Sequence, residues 1–208
     1  MWGEEYPDFM DALFPIACLP VEIAGHNRMW RKLFSELIQI DPTYNNGSYD
    51  SQPLTGLLGA MSVLLVMFES PLHLQREYPT REATDAYVDG TIEALLEHID
   101  AYDANNMLYA YNASYTYNPE PHLKSINAPL TAVNTADDLL NPPQLEILER
   151  AVREQMKEDL GRAVVIPTSD ETFGHGSYIK ADLWKHEVSG EELESLPKGT
   201  HVSESGQA

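Results

Sequence analysis

A histidine follows one apolar run of the chain, and two adjacent aspartates follow another. His175 lies between glycines in "SDETFGHG", directly after "RAVVIP" at 162–167. Asp137 and Asp138 follow "APLTAVN" at 128–134. An imidazole takes a proton from a hydroxyl nucleophile, and a carboxylate fixes the tautomer of that imidazole and stabilises the imidazolium. These residue types predict the base and the acid of an acyl-transfer site; ordinary turns without chemistry are the alternative.

The elements around these residues alternate between strand and helix. Besides the two runs above, "ALFPIAC" at 12–18 is apolar on both faces, which is typical of a strand buried in a parallel sheet. Residues 141–161 carry apolar side chains at helical spacing, and Gly161 fits the end of that helix. This alternation predicts an α/β fold with a parallel sheet. Reactive groups of such folds lie at the carboxyl ends of strands, where the aspartates and the histidine fall.

The composition limits the classes of partner. Of the 208 residues, 43% are hydrophobic, which is enough for one domain with a core. The net charge of −20 repels phosphate backbones and anionic lipids, so we expect neither nucleic acid nor a membrane as partner. Cys18 is the single cysteine and excludes an intrachain disulfide, and the first residues do not resemble a secretory signal. We therefore expect a cytoplasmic location.

Residues 20–115 are predicted to be helical. Trp30, Leu33, Phe34, Leu37 and Ile38 follow helical spacing, as do Val88, Ile92, Leu95, Leu96 and Ile99. Thr80 is a candidate N-cap for the second of these helices. The uncharged stretch 51–68 is broken by polar residues, proline and glycine, so we interpret it as a buried helix rather than a membrane span. A last helix is predicted at 176–188, and the polar tail 189–208 is expected to be disordered.

Several of these segments together resemble one enzyme family. They include "YPDFMDALFPIACLP", "AGHNRMWR", "SPLHLQREYPTREATDAYVD", "NAPLTAVNTADDLLNPP" and "IPTSDETFGHG". Over roughly residues 1–188 the chain resembles the homoserine O-acetyltransferase-like branch of the α/β-hydrolases. The resemblance implies a Ser–Asp–His triad, with acetyl-CoA as co-substrate and a small-molecule acceptor. It also implies a helical lid at 20–115, between two core parts at 1–19 and 116–188.

The resemblance assigns the catalytic residues one by one. The acid of the family lies in the pattern D-x-apolar-apolar, which Asp137 fits best, with Asp138 one step off. The histidine of the family lies in a "GH" turn, which here is His175. The nucleophile of the family lies in a G-x-S-x-G-like elbow, and no such motif occurs in the 208 residues. We therefore expect a truncated C-terminal portion that is inactive on its own.

The sequence is also compatible with other interpretations. An esterase of the same fold and a non-catalytic remnant that binds a partner are the alternatives, and a homodimer through the lid helices is a further option. Neither a metal nor a tightly bound cofactor is expected. Arg28 and Arg31 are candidates to contact an anionic group in the cleft, or else are solvated. Cys18 is interpreted as a small buried residue rather than a nucleophile, and the tyrosines as tunnel lining or packing: Tyr109, Tyr111, Tyr115 and Tyr117.

Overall fold

The sheet is parallel, and its strands bring the loop with Asp137 and Asp138 and the loop with His175 to one edge. The computed structural model describes residues 1–188. Strand β1 (Leu130–Thr135) pairs in parallel with β2 (Gly161–Ile166). The segment around Leu13 lies on the other side of β1 and is parallel to it, through isolated bridges to Leu130 and to Val133. The expected α/β architecture with a parallel sheet is therefore confirmed.

The predicted strand at 12–18 is not continuous. Only Leu13 and Ile16 form bridges, and Pro15 between them has no N–H to give to a ladder. The carbonyl of Pro15 still accepts a hydrogen bond from the amide of Val133, at 3.0 Å. Ala17 then turns the chain with a positive φ of 54°. The segment lies where a strand was expected, but proline and the turn keep it irregular.

Eight α-helices lie within residues 1–188. They are α1 (Trp2–Glu5), α2 (Gly25–Gln39), α3 (Leu54–Phe68), α4 (Pro71–Glu77), α5 (Arg81–Glu97), α6 (Ala104–Asn112), α7 (Ile147–Gln155) and α8 (Ala181–Val188). Short 3₁₀ helices lie at Pro42–Gly47, Ile99–Ala101, Glu120–Ser125, Pro143–Leu145 and Gly174–Ile179. The predicted tail 189–208 lies outside the described residues. The division of the chain into core and lid stays a prediction.

Helix α7 ends earlier than expected. It stops at Gln155, and Gly161 opens β2 instead of ending the helix. A Cβ atom on Gly161 would lie 2.7 Å from the side chain of Val152 and 2.8 Å from the sulfur of Met156. Glycine is therefore required here because the strand passes close to the helix, and not because of helix termination.

The core of the helical region lies between α2 and α3. The expected stripe of α2 buries Trp30, Phe34 and Ile38, while Leu33 on the same predicted face is 47% exposed. In α3, Leu57 and Ala60 are fully buried but Val66 is 68% exposed, so this helix is only partly buried. Among the described residues no single helix is long and apolar enough to span a bilayer; by length and composition alone, α3 and α4 pass that test jointly, with a bend of 94°.

The apolar stripe predicted for α5 is not covered. The helix begins as expected, because the hydroxyl of Thr80 accepts a hydrogen bond from the amide of Ala83, at 3.1 Å. None of its residues is buried, however, and Val88 and Leu96 are 38% and 42% exposed. Helical periodicity thus predicted the helix correctly but not its burial.

Gly56 sets the spacing between α2 and α3. A Cβ atom there would lie 2.5 Å from the carbonyl oxygen of Leu37. Gly56→Ala is expected to lower the free energy of unfolding by about 2 kcal/mol, because the two helices must separate. Gly90→Ala in α5 is the control: its Cβ meets nothing within 4 Å, so stability should rise by about 0.5–1 kcal/mol. Urea denaturation measures both, and equal effects of the two substitutions would show that the close approach does not matter.

Candidate functional site

The loops that follow β1 and β2 meet because the two strands are parallel neighbours. β1 ends at Thr135 and β2 at Ile166, paired in register. The amide of Ala136 donates to the carbonyl of Ile166, at 2.9 Å. The hydroxyl of Thr135 donates to the carbonyl of Gly174, at 3.2 Å, and so attaches the second loop to the end of β1. The two aspartates and the histidine therefore share one edge of the sheet.

Asp138 is the carboxylate that faces His175. Its Oδ2 lies 3.0 Å from the Nδ1 of His175, and its side chain is fully buried. Its Oδ1 accepts hydrogen bonds from the amides of Leu140, at 2.7 Å, and Asn141, at 3.1 Å. Burial raises the pKa of Asp138, but the hydrogen bond and charge of His175, with those of Asn141, outweigh it, so that the pKa lies below its usual value. The group is thus an anchored, ionised carboxylate.

The expectation that Asp137 faces the histidine is wrong. Its Oδ2 accepts a hydrogen bond from the amide of Gly174, at 3.1 Å, and its Oδ1 is buried without a partner among the described residues. The pattern D-x-apolar-apolar favoured Asp137 because two leucines follow it after one spacer. The structure selects Asp138 instead, because the turn after β1 directs amides two and three residues further on toward the Asp138 carboxylate.

Close packing fixes the loop that carries His175. Gly174 has a φ of 86°, and a Cβ atom there would lie 2.6 Å from the backbone nitrogen of Ser70. The ring of His175 packs edge-on against Phe68, with centroids 5.1 Å apart, and lies 5.6 Å from Tyr178. The side chain of His175 is only 17% exposed. The glycine beside the histidine thus permits the tight turn that the sequence predicted.

A cavity of about 620 Å³ opens beside this pair. Its lining includes His175, Asn141, Cys18, Tyr117 and Arg31. Among the described residues, the polar contacts of the His175 ring involve only Nδ1, so no described hydroxyl or thiol binds its Nε2. Burial raises the pKa of the Cys18 thiol to about 11, which keeps it protonated at neutral pH. Cys18 is therefore a poor nucleophile.

Arg31 is the cationic side chain among those lining residues. Its Nε donates to the Oδ1 of Asn27, at 2.9 Å, and its Nη1 to the hydroxyl of Ser114, at 3.1 Å. Its guanidinium carbon lies 4.8 Å from the ring centroid of Trp30. Its hydrogen-bond partners among the described residues are these two neutral side chains and no carboxylate, and burial lowers its pKa. Arg31 is therefore a half-buried cation held by neutral groups, and the carboxylate of Glu22 belongs to the same lining.

The remaining candidates divide between surface and packing. Arg28 stacks over Tyr115 at 4.7 Å, on a tyrosine that is 65% exposed, and Tyr109 is 73% exposed. Tyr111 packs against Trp30 and Phe34 in the helical core. Asn141, which binds Asp138, was not predicted; its position three residues after an acid in "DDLLNPP" was the only sequence signal.

These features are those of an α/β-hydrolase fold, and this chain contains part of such a fold. No family model matches the chain. The structure is similar to homoserine O-acetyltransferase from Bacillus anthracis, with a TM-score of 0.74 and 18% identity over 90% of this chain and 54% of that one. It is also similar to esterase E22, with a TM-score of 0.72 and 18% identity over 88% and 55% of the two chains.

The sequence relatives agree with the resemblance expected from the motifs. Homoserine O-acetyltransferase of Moorella thermoacetica is 25% identical over 203 residues, covering 86% of this chain and 51% of that protein. The corresponding protein of Pelobacter propionicus is 24% identical over 200 residues. The resemblance to homoserine O-acetyltransferases is therefore confirmed. The chain spans about half the length of the curated relatives it matches.

Proposed function

We propose that His175 and Asp138 are the base and the acid of an acyl-transfer site of the α/β-hydrolase type. The observation that carries the proposal is the distance of 3.0 Å between the Nδ1 of His175 and the Oδ2 of a fully buried Asp138. A buried carboxylate on Nδ1 leaves Nε2 free to take and return a proton. The geometry thus suits a base that works on a hydroxyl nucleophile.

The proposed reaction has two balanced stages. The Nε2 of His175 takes the proton of the nucleophile as its oxygen attacks the thioester carbon of acetyl-CoA, and the departing thiolate then takes that proton. In the second stage, Nε2 takes the proton of the acceptor hydroxyl, whose oxygen attacks the acetyl ester. The nucleophile leaves and regains the proton, so that acetyl has moved from sulfur to the acceptor oxygen. Asp138 remains ionised and stabilises the imidazolium in both stages.

Arg31 supports an acceptor that carries a carboxylate. Its guanidinium has two neutral hydrogen-bond partners, Asn27 and Ser114, and lies on the same cavity as His175. An acceptor with a hydroxyl and a carboxylate would place its hydroxyl at His175 and its carboxylate at Arg31. This favours acetyl transfer to a hydroxy amino acid over hydrolysis of a neutral ester, which is the alternative that the similarity to esterase E22 suggests. Residues 20–115 would cover the cavity as a lid.

The nucleophile is proposed to come from sequence outside these 208 residues. The chain alone is therefore expected to give no acetyl transfer from acetyl-CoA to homoserine or serine above the uncatalysed rate. The measurement is release of the CoA thiol, with the full-length Bacillus anthracis enzyme as positive control. Turnover by the chain that disappears in His175→Ala would show that one of its own residues supplies the nucleophile.

A chimera tests the function itself. Residues 1–188 are fused to the part of the Bacillus anthracis enzyme that the similarity does not cover, and the products from acetyl-CoA with homoserine are identified by mass spectrometry. O-acetylhomoserine formed by the chimera and lost in its His175→Ala variant supports the proposal. Acetate as the main product would indicate the hydrolase. A folded chimera without either activity would favour a non-catalytic binding protein.

A further inference from the structure

The side-chain amide of Asn141 connects the carboxylate and histidine to the turn at Ala17. Asn141 is 3% exposed. Its Nδ2 donates to the carbonyl of Ala17, at 2.9 Å, and to the Oδ2 of Asp138, at 3.0 Å. The same Nδ2 lies 3.4 Å from the Nδ1 of His175. One amide nitrogen thus contacts the backbone, the carboxylate and the imidazole.

The orientation of this amide follows from its neighbours. The Ala17 carbonyl and the ionised Asp138 carboxylate are both acceptors. The opposite orientation would place the oxygen of the Asn141 amide against both of them, so the nitrogen must face them. An amide nitrogen has two hydrogens, and the two shorter contacts use both. None remains for the Nδ1 of His175, and the 3.4 Å approach is not a donation.

The proton on His175 is fixed as a consequence. A bare Nδ1 would direct its lone pair at the Oδ2 of Asp138, only 3.0 Å away. With Asn141 unable to donate to Nδ1, the favourable state of the neutral ring carries its hydrogen on Nδ1 and its lone pair on Nε2.

We propose that Asn141 is a positioning residue that holds the Asp138 carboxylate against the Ala17 turn and thereby fixes the tautomer of His175. The inference rests on the proposed function, because a bare Nε2 matters only if His175 acts as a base. The Oδ1 of Asp138 is anchored by two backbone amides, whereas the side-chain donors to its Oδ2 are Asn141 and His175. Removing the side-chain amide of Asn141 lets the Asp138 carboxylate turn away from the His175 ring.

Asn134 provides a matched control. It is also 3% exposed, and its side-chain amide also binds the turn at 17–18, accepting from the amide of Cys18 at 3.0 Å and donating to its carbonyl at 3.1 Å. No hydrogen bond joins its side chain to Asp138 or to His175. Loss of either asparagine side chain removes two hydrogen bonds, but for Asn134 both go to the turn, so the Asp138–His175 pair is left unchanged.

Long-range ¹H–¹⁵N correlation spectra of the ¹⁵N-labelled 208-residue chain, recorded where imidazoles are neutral, test the inference. The signals of His175 are assigned with His175→Gln. The native chain is expected to show a single tautomer, with hydrogen on Nδ1 and a bare Nε2. Asn141→Leu should lose that pattern and give the averaged shifts of a free imidazole, whereas Asn134→Leu should keep it.

Three results would overturn the proposal. They are a native spectrum with hydrogen on Nε2, an unchanged pattern in Asn141→Leu, and an equal loss in Asn134→Leu. If Asn141→Leu fails to fold by circular dichroism, Asn141→Ser takes its place, because a hydroxyl is too short to bridge Ala17 and Asp138. The spectra require no turnover. An inactive chimera together with the expected tautomer pattern would therefore reject the proposed function and keep the role of Asn141. An active chimera without that pattern would keep the proposed function and reject the role of Asn141.

Discussion

Asp138→Asn is expected to lower acetyl transfer by the chimera roughly 10⁴-fold, which is the scale for loss of the orienting carboxylate of a triad. The neutral amide can offer its nitrogen to the Nδ1 of His175, which would move the ring hydrogen to Nε2. A ring with hydrogen on Nε2 cannot accept the proton of the nucleophile. The fold should survive, because asparagine has the same shape and its oxygen can still accept from the amides of Leu140 and Asn141.

Asp137→Asn is the matched control for this prediction. Its side chain would keep an oxygen for the amide of Gly174, so the loop that carries His175 stays in place. We expect a loss of no more than about tenfold, which corresponds to about 1.4 kcal/mol in the barrier. Steady-state turnover of both variants, with circular dichroism as a check on the fold, decides. The reverse ranking would return the acid to Asp137, and mild effects of both would remove this strand end from the mechanism.

Asp41→Asn is expected to destabilise the protein by about 2 kcal/mol at neutral pH, because the amide keeps an oxygen for one backbone N–H and places its NH2 group against the other. The carboxylate of Asp41, which is 8% exposed, accepts from the amide of Thr43 at 2.8 Å and from the amide of Gly56 at 2.7 Å. It therefore joins the 3₁₀ helix at Pro42–Gly47 to the start of α3. Asp50→Asn, on an exposed side chain nearby, should change stability by less than about 0.5 kcal/mol.

The pH dependence of this effect has a defined sign. Burial raises the pKa of Asp41, but the hydrogen bonds from Gly56 and Thr43 outweigh it and lower the pKa below its ordinary 3.8. A carboxyl group whose pKa is lower in the folded than in the unfolded state stabilises the protein at pH values above its unfolded-state pKa. This stabilisation is lost as the pH falls through the folded-state pKa. The difference between wild type and Asp41→Asn should thus be complete at pH 6 and shrink below about pH 3.8. Urea midpoints across this range measure it, and a constant difference would contradict the role of the ionised carboxylate.

Much of the sheet and of its reactive edge was determined by the sequence alone. The runs at 128–134 and 162–167 are apolar on both faces, and such runs form buried parallel strands, here Leu130–Thr135 and Gly161–Ile166. Their ends place an acid and His175 at one edge in any fold of this class. A single sequence was sufficient for these features, because the apolar pattern of each strand, the cap at Thr80 and the glycines beside His175 are visible within short segments.

Only the tertiary structure decided which of the two aspartates faces His175. Asp137 and Asp138 are neighbours of the same type, so no local pattern separates them by energy. The difference arises from partners 37 residues away: the Gly174 amide binds one carboxylate and the His175 ring binds the other. The same holds for the glycine at 161, which is needed for close packing, and for the exposed stripe of α5. These features depend on packing between segments that are far apart in the chain. A single sequence shows the residues of each segment but not how closely the segments approach one another in the fold.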